Sequence, residues 1–180
     1  VVDIDHQRMF VSTVTGSHIA ELAMNDGHVV VEHATGRAGV KAGKGIGFGL
    51  LAILTGGRAP GSVVASSSFS LSETSTSSMS LSPGGTYLYA LNLFTNDISV
   101  FDTAKHDVVD FIPAGGGAFR LTRADGDPNL WIESRTHLVR LNTSTNLIDR
   151  SIDLDQGFIR GSVTYDLARH RAWIPTRTKV

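Results

Sequence analysis

A short aromatic or apolar strand motif returns at nearly constant spacing along the 180-residue chain, and this repeat limits the possible folds more than any other feature. Its aligned positions are separated by roughly 41, 38, 42 and 42 residues, a regularity that marks chains built from repeated supersecondary units. The chain is therefore expected to use one small structural unit several times. The copies MFVST, LLAIL, LYALN, LWIES and AWIPT are aligned at their second residues, Phe10, Leu51, Tyr89, Trp131 and Trp173.

The clearest copy of the unit is LSPGGTYLYALNLFTNDISVFDTAKHDVVDF, residues 81–111. A Pro-Gly-Gly turn precedes the aromatic strand, a polar turn follows it, and two alternating strands joined by another turn complete the unit. Residues 124–154 have the same order of turns and strands. Alternation with a period of two, interrupted by Asn, Asp, Gly and Ser, predicts consecutive antiparallel hairpins.

Residues 17–27, SHIAELAMNDG, contain Ala, Glu, Leu and Met, which are good helix formers. Their position in the repeat nevertheless corresponds to the third strand of a unit. We therefore predict a strand in this stretch and no helix of globular length elsewhere.

Four-stranded units of this size cannot bury both faces alone and must stack on their neighbours. The sequence therefore predicts an all-β fold, a β-propeller of four-stranded antiparallel blades. We expect one propeller domain or propeller fragment over the whole chain. The approximate repeats are 1–38, 39–76, 77–117, 118–157 and a partial unit, 158–180.

Residues 79–154 resemble the YVTN-type β-propeller repeat, in which an SPDG turn leads into a YLYV strand and an Asn, followed by SVID and VV-TI-VG segments. The resemblance implies a ring that usually closes with about six to eight blades. This chain holds about four and a third units, starting in a predicted innermost strand and stopping after a second strand. Three alternatives remain: a fragment of a larger propeller, a ring completed by a partner chain, and a small closed propeller. The matching residues are Ser82, Pro83, Gly85, Tyr87, Leu88, Tyr89, Asn92, Ser99, Val100, Asp102, Val108, Val109, Ile112 and Gly115.

The composition excludes several classes of function. With 16 basic and 17 acidic residues the formal net charge is −1, which offers no general attraction for nucleic acid. The chain has no cysteine, so disulfides and thiolate metal sites are excluded. The longest apolar run, residues 46–54, is about half the length of a membrane-spanning helix, so no membrane span is expected.

Three cations fall in predicted innermost strands, where a propeller presents side chains to its central channel: Lys44, Arg120 and Arg160. Converging cations would bind an anionic ligand. Polar residues also line a water-filled channel without binding anything specific, and we favour that second interpretation.

The segment DGDPN has the spacing that begins many calcium loops, with Asp125, Asp127 and Asn129 as the ligands and Glu133 as a further carboxylate. The same residue types are the commonest in turns for backbone reasons. Because Glu133 should lie in the following strand, we favour a turn over a metal site.

Gly43, Gly45, Gly47 and Gly49 lie on one face of a predicted strand. They indicate either close approach of a ligand or crowding near the propeller axis, and we favour crowding. The P-loop and dinucleotide-binding patterns both fail in this region, and the seven histidines are scattered. We therefore expect no metal and no cofactor.

The sequence contains repeats but no catalytic constellation, which favours a non-catalytic binding or interaction module over an enzyme. The resemblance places such a module in a secreted, periplasmic or cell-surface protein. The expected partner is a protein or another propeller segment, and a homo-oligomer would satisfy that expectation. The alternative is part of a propeller enzyme, such as a lactonase or a quinone-dependent dehydrogenase subunit, with Lys44, Arg120 and Arg160 converging on a carboxylate.

Overall fold

Short strands separated by tight turns make up the computed structural model, which describes residues 1–12, 18–35, 76–154, 161 and 163–175. Within these ranges the strands form three four-stranded antiparallel sheets and one hairpin, each in simple sequence order. Sheet A contains β1 (Val2–Asp3), β2 (Arg8–Ser12), β3 (His18–Ala23) and β4 (Val29–Ala34). Sheet B contains β5 (Thr76–Leu81), β6 (Tyr87–Asn92), β7 (Asp97–Asp102) and β8 (Asp107–Pro113). Sheet C contains β9 (Ala118–Thr122), β10 (Leu130–Ser134), β11 (His137–Asn142) and β12 (Leu147–Asp153), and hairpin D contains β13 (Thr164–Asp166) and β14 (Arg171–Trp173).

The predicted antiparallel repeat is confirmed, including the strand predicted in place of a helix near residue 20. Strand β3 pairs with β2 on one side and β4 on the other, and four of its six residues are buried. A strand flanked on both edges and covered on both faces has its apolar residues buried by its neighbours, and this tertiary packing outweighs local helix propensity.

Several hairpin turns share one backbone solution. They place a residue in the left-handed region near the end of the turn, as at Asn96 (φ 51°), His106 (φ 52°) and Asn146 (φ 56°). Asn enters this region more readily than most residues, which explains the recurring Asn at these corners. The 3₁₀ turn Pro83–Gly85 has a stricter requirement, because Gly85 has φ 69° and a Cβ there would lie 2.7 Å from a carboxylate oxygen of Asp3.

The sheets stack face to face in chain order. Phe10 of sheet A packs edge-on against Phe101 of sheet B, with ring centroids 6.3 Å apart. Tyr89 on the opposite face of sheet B is buried in the cluster that it shares with sheet C. Trp131 on the far face of sheet C stacks on Tyr165 of hairpin D at 5.7 Å. The aromatic residue of each second strand thus faces the next sheet.

The first strands of sheets B and C lie side by side, as innermost strands of neighbouring blades do. The Ser78 hydroxyl donates to the Leu121 carbonyl at 3.2 Å and accepts from the Leu121 amide at 3.1 Å. These bonds place β9, and with it Arg120, beside the inner edge of sheet B.

Sheets A and B contact each other directly, although residues 36–75 separate them in sequence. The chain leaves the described part at Thr35 and returns at Thr76, and these two hydroxyls lie 3.2 Å apart. The predicted unit 39–76 falls almost wholly outside the described residues, so the predicted repeat boundaries stay a prediction. Within the described ranges no helix has the length and apolar composition of a membrane span.

Candidate functional site

Of the three predicted channel cations, the structure describes Arg120. Its Nη1 donates to the Gly161 carbonyl at 2.9 Å and lies 3.7 Å from a carboxylate oxygen of Glu133. The guanidinium therefore joins β9 to the segment that precedes hairpin D. Lys44 and Arg160 lie outside the described residues, so the convergence of the three cations stays a prediction.

Glu133 is a fully buried carboxyl on the face of sheet C that meets hairpin D. The Thr122 hydroxyl donates to its Oε1 at 3.1 Å, and Thr122 and Tyr165 share a second hydrogen bond of 3.0 Å. Burial raises the pKa of Glu133, while the bond from Thr122 and the charge of Arg120 oppose that shift. The sequence placed Glu133 in a strand but did not indicate this cluster, because its members meet only when the sheets stack.

The predicted calcium-loop residues form a turn. Asp127 accepts from the backbone and side-chain nitrogens of Asn129 at 2.9 and 3.0 Å, and from the Trp131 indole at 3.1 Å. Glu133 lies in β10 and is engaged with Thr122. Among the described residues no three His, Asp or Glu side chains gather as a metal site. These bonds account for DGDPN as a corner, and the calcium alternative stays a prediction.

A second polar cluster joins sheets A and B, and Arg8 is its centre. Arg8 Nε donates to Asp3 at 2.8 Å, and Nη2 donates to the Gly85 carbonyl at 3.0 Å and to the Thr103 hydroxyl at 3.1 Å. Thr103 also donates to the Gly85 carbonyl at 2.7 Å. The sequence did not indicate this cluster, because its members come from two sheets and meet only when those sheets stack.

The same junction continues through two histidines. His106, in the turn before β8, makes a 3.0 Å hydrogen bond with the buried carboxylate of Glu21 in β3. His33, in β4, is partly buried with its ring against Phe101, 5.1 Å between centroids. Burial lowers the pKa of His33; Asp107 and Glu21 oppose the shift, and His106 adds to it. The junction therefore carries a histidine whose pKa the fold lowers, which favours its neutral form.

We expect this histidine to make the protein less stable as the pH falls from about 7.5 to about 5.5. The folded-state pKa of His33 lies below its unfolded value, so the unfolded chain binds more protons in that window. The contribution of His33 to stability is fully present when the pH is above the pKa of this histidine in the unfolded chain. That contribution is lost as the pH falls towards the lower pKa of the folded state. The free energy of unfolding, measured in urea at several pH values, should change less steeply with pH for His33→Leu than for the wild type. The difference between the two slopes should be at most about 1.4 kcal/mol per pH unit. The exposed His28→Gln serves as control, and an unchanged slope in His33→Leu would contradict the assignment.

The opposite end of sheets B and C carries an exposed surface, which we name the Phe94 surface. Phe94 is 65% exposed at the tip of the β6–β7 hairpin, beside the exposed Leu93. The connection from β8 lies at this end, because the Ala114 amide donates to the Asn96 carbonyl at 2.9 Å. Three exposed glycines and one exposed arginine complete the surface. Its members are Leu93, Phe94, Gly115, Gly116, Gly117 and Arg135.

No family model matches the sequence, and no curated protein matches it. Among solved structures, the chain is similar to hydrazine synthase from Kuenenia stuttgartiensis, with a TM-score of 0.58 and 13% identity over 83% of this chain and 33% of that chain. It is similar to the WD40 repeats of RRP9, with a TM-score of 0.56 and 15% identity over 87% of this chain and 38% of that one. A 6-phosphogluconolactonase candidate from Bacteroides fragilis gives a TM-score of 0.55 and 14% identity over 85% and 38%. The chain thus spans about a third to two-fifths of the length of these structures.

The stacked antiparallel sheets and these similarities together define the class of protein: the chain has a β-propeller fold. At identities this low the likeness concerns the fold alone. A propeller carries many unrelated functions, so function must be inferred from the surfaces of this chain.

Proposed function

We propose that the chain is a non-catalytic protein-binding module, a YVTN-type propeller segment of a secreted, periplasmic or cell-surface protein. The observation that carries the proposal is the Phe94 surface. A large aromatic side chain at a solvent-exposed hairpin tip contributes nothing to the core, whereas aromatic residues are favoured at the centres of protein interfaces.

Two features of the surface suit a protein partner. No heavy atom lies within 4 Å of a Cβ position at Gly115 or Gly116, so a partner backbone has room to approach this connection. Arg135, at the neighbouring corner, supplies an exposed cation for a partner carboxylate. Elsewhere in the described residues many polar side chains, such as Arg8, form hydrogen bonds between neighbouring sheets.

The proposal is tested by capturing a partner with the wild-type chain, identifying it and measuring its affinity in purified form. Phe94→Ser should weaken that affinity by at least tenfold, about 1.4 kcal/mol. Val109→Ser, which changes an exposed apolar residue on the outer strand β8, should leave it unchanged. If the wild type, Phe94→Ser and Val109→Ser bound the partner with equal affinity, the interface would lie outside the Phe94 surface.

A second candidate function is catalysis of the lactonase type, and the Glu133 cluster is the observation that favours it. A buried carboxyl with a raised pKa beside a guanidinium is suited to proton transfer at neutral pH. If the chain is such an enzyme, it should hydrolyse 6-phosphogluconolactone. Glu133→Gln should then abolish turnover, and Asp153→Asn, which changes an exposed acid on β12, should not.

A further inference from the structure

The corner between β11 and β12 carries a tripeptide that belongs neither to the core nor to the Phe94 surface. Asn142, Thr143 and Ser144 match the pattern Asn-x-Ser/Thr, with a central residue other than proline, which is the acceptor pattern for N-glycosylation. The chain has six asparagines, and Asn142 alone is followed two residues later by Ser or Thr. A three-residue pattern also arises by chance, so the geometry of the corner has to suit the chemistry as well.

Local hydrogen bonds hold the side-chain amide of Asn142. Its Oδ1 accepts from the Ser144 backbone amide at 3.0 Å and from the Ser144 hydroxyl at 2.6 Å, which closes a turn through the side chain. The side chain also hydrogen-bonds the Asp149 carboxylate, for which Nδ2 is the donor. Donors on the amide oxygen polarise the amide and make the Nδ2 hydrogens more acidic. Because the bonds to Ser144 span only two residues, they do not depend on the rest of the fold.

The corner of sheet C is more open than the corresponding corner of sheet B. In sheet B the side chain of Asp102 accepts from the amides of Ala104 and Lys105, both at 3.0 Å. The Lys105 ammonium also lies 2.9 Å from the Asp102 carboxylate, and Asp102 is 6% exposed. In sheet C the residue at the position of Lys105 is Thr145, which is exposed and too short to reach Asn142 in the same way. Asn142 is accordingly half-buried, with exposed residues beside it in the turn.

We propose that Asn142 is an acceptor for N-glycosylation. In the transfer, Nδ2 forms a bond to the anomeric carbon of an oligosaccharide that is carried on a lipid pyrophosphate. The bond from that carbon to the pyrophosphate oxygen breaks, the lipid pyrophosphate leaves, and a base of the transferase takes one proton from Nδ2. The modification requires a secreted or cell-surface location, so it rests on that part of the proposed function.

A glycan at this position leaves the contacts of the corner with sheet B in place. The Tyr89 hydroxyl donates to the Thr143 carbonyl at 3.3 Å and to Asn146 Oδ1 at 2.6 Å, and the transfer changes neither acceptor. Arg135 of the Phe94 surface precedes β11, whereas Asn142 ends that strand. The glycan and the Phe94 surface therefore lie at opposite ends of sheet C.

The test is secretion of the chain from cultured mammalian cells behind an added signal peptide, followed by mass spectrometry. The wild type should carry one glycan, and peptide N-glycosidase should remove it and leave an aspartate in place of the asparagine. Asn142→Gln should lose the glycan completely. Ser144→Ala keeps the acceptor nitrogen but lacks the hydroxyl, so it should lose the glycan as well, and Ser144→Thr should keep it. Asn25→Gln changes an exposed asparagine outside the pattern and should stay glycosylated as the matched control.

A secreted wild type without a glycan, or a glycan that persists in Asn142→Gln, would overturn the proposal. Binding of the partner is measured on the same proteins, because Asn142 does not belong to the Phe94 surface. An unglycosylated wild type whose affinity falls in Phe94→Ser would contradict the acceptor assignment alone. A glycosylated wild type whose affinity is unchanged in Phe94→Ser would contradict the binding proposal alone.

Discussion

Replacing Arg8 with Met should lower the free energy of unfolding by about 3 kcal/mol, because it removes the guanidinium from the buried Asp3 carboxylate, which keeps its hydrogen bond with His6 at 3.0 Å. Asp3 is 7% exposed and Arg8 is 13% exposed, and their side chains meet at 2.8 Å. The substitution also removes donors to Gly85 and Thr103, which lie in sheet B. Methionine keeps the aliphatic stem, so the loss reports the guanidinium rather than packing.

The measurement is equilibrium unfolding in urea, with Arg140→Met as the matched control. Arg140 makes a bidentate contact with Asp149, at 2.8 and 3.0 Å, but both partners are 32% exposed. That pair should contribute less than about 1 kcal/mol. Asp3→Asn should recover part of the loss in the Arg8→Met background, and equal costs for Arg8→Met and Arg140→Met would contradict the assigned junction.

Replacing Asn92 with Leu should cost about 3 kcal/mol, because Asn92 is fully buried and holds a polar network together. Its Nδ2 donates to Asp97 at 2.9 Å and to Ser99 at 2.8 Å, and its Oδ1 accepts from Thr76 at 3.2 Å. The Ser99 hydroxyl donates to the Thr35 carbonyl, which carries the network into sheet A. Leucine has a similar volume but cannot make these three buried hydrogen bonds.

The control for this network is Asn142→Ala. Asn142 also begins a hairpin turn, but its oxygen accepts from Ser144, at 3.0 Å from the backbone amide and 2.6 Å from the hydroxyl, in an exposed corner, and its side chain also hydrogen-bonds Asp149 in the same sheet. That change should cost about 1 kcal/mol or less. Near-equal losses for the two asparagine variants would show that the network does not join the sheets.

The sequence was informative wherever the determining interactions are local. The alternation of residues 97–102 and the Pro-Gly-Gly corner predicted strand and turn correctly. Residues 18–23 also formed the strand that the repeat predicted, although their local propensity favours a helix. The aromatic position was found in the second strand at Phe10, Tyr89, Trp131 and Trp173, and the first three share one packing role against the next sheet.

The polar junctions could not be predicted in this way. Arg8 meets Thr103, and Glu21 meets His106, only after two sheets have stacked, and neither pair has a sequence spacing that the repeat preserves. Arg120 was correctly placed in an innermost strand. Its engagement with Gly161 and Glu133 depends on where hairpin D sits, which no local pattern specifies.

The central claim is that these sheets stack as successive propeller blades, each second-strand aromatic facing the next sheet. Nuclear Overhauser contacts in solution test it most directly. We expect contacts between the rings of Phe10 and Phe101, between Tyr89 and the Asn146 side chain, and between the rings of Trp131 and Tyr165. A well-dispersed spectrum that shows hairpin contacts within each sheet but lacks these three contacts between sheets would contradict the stacking.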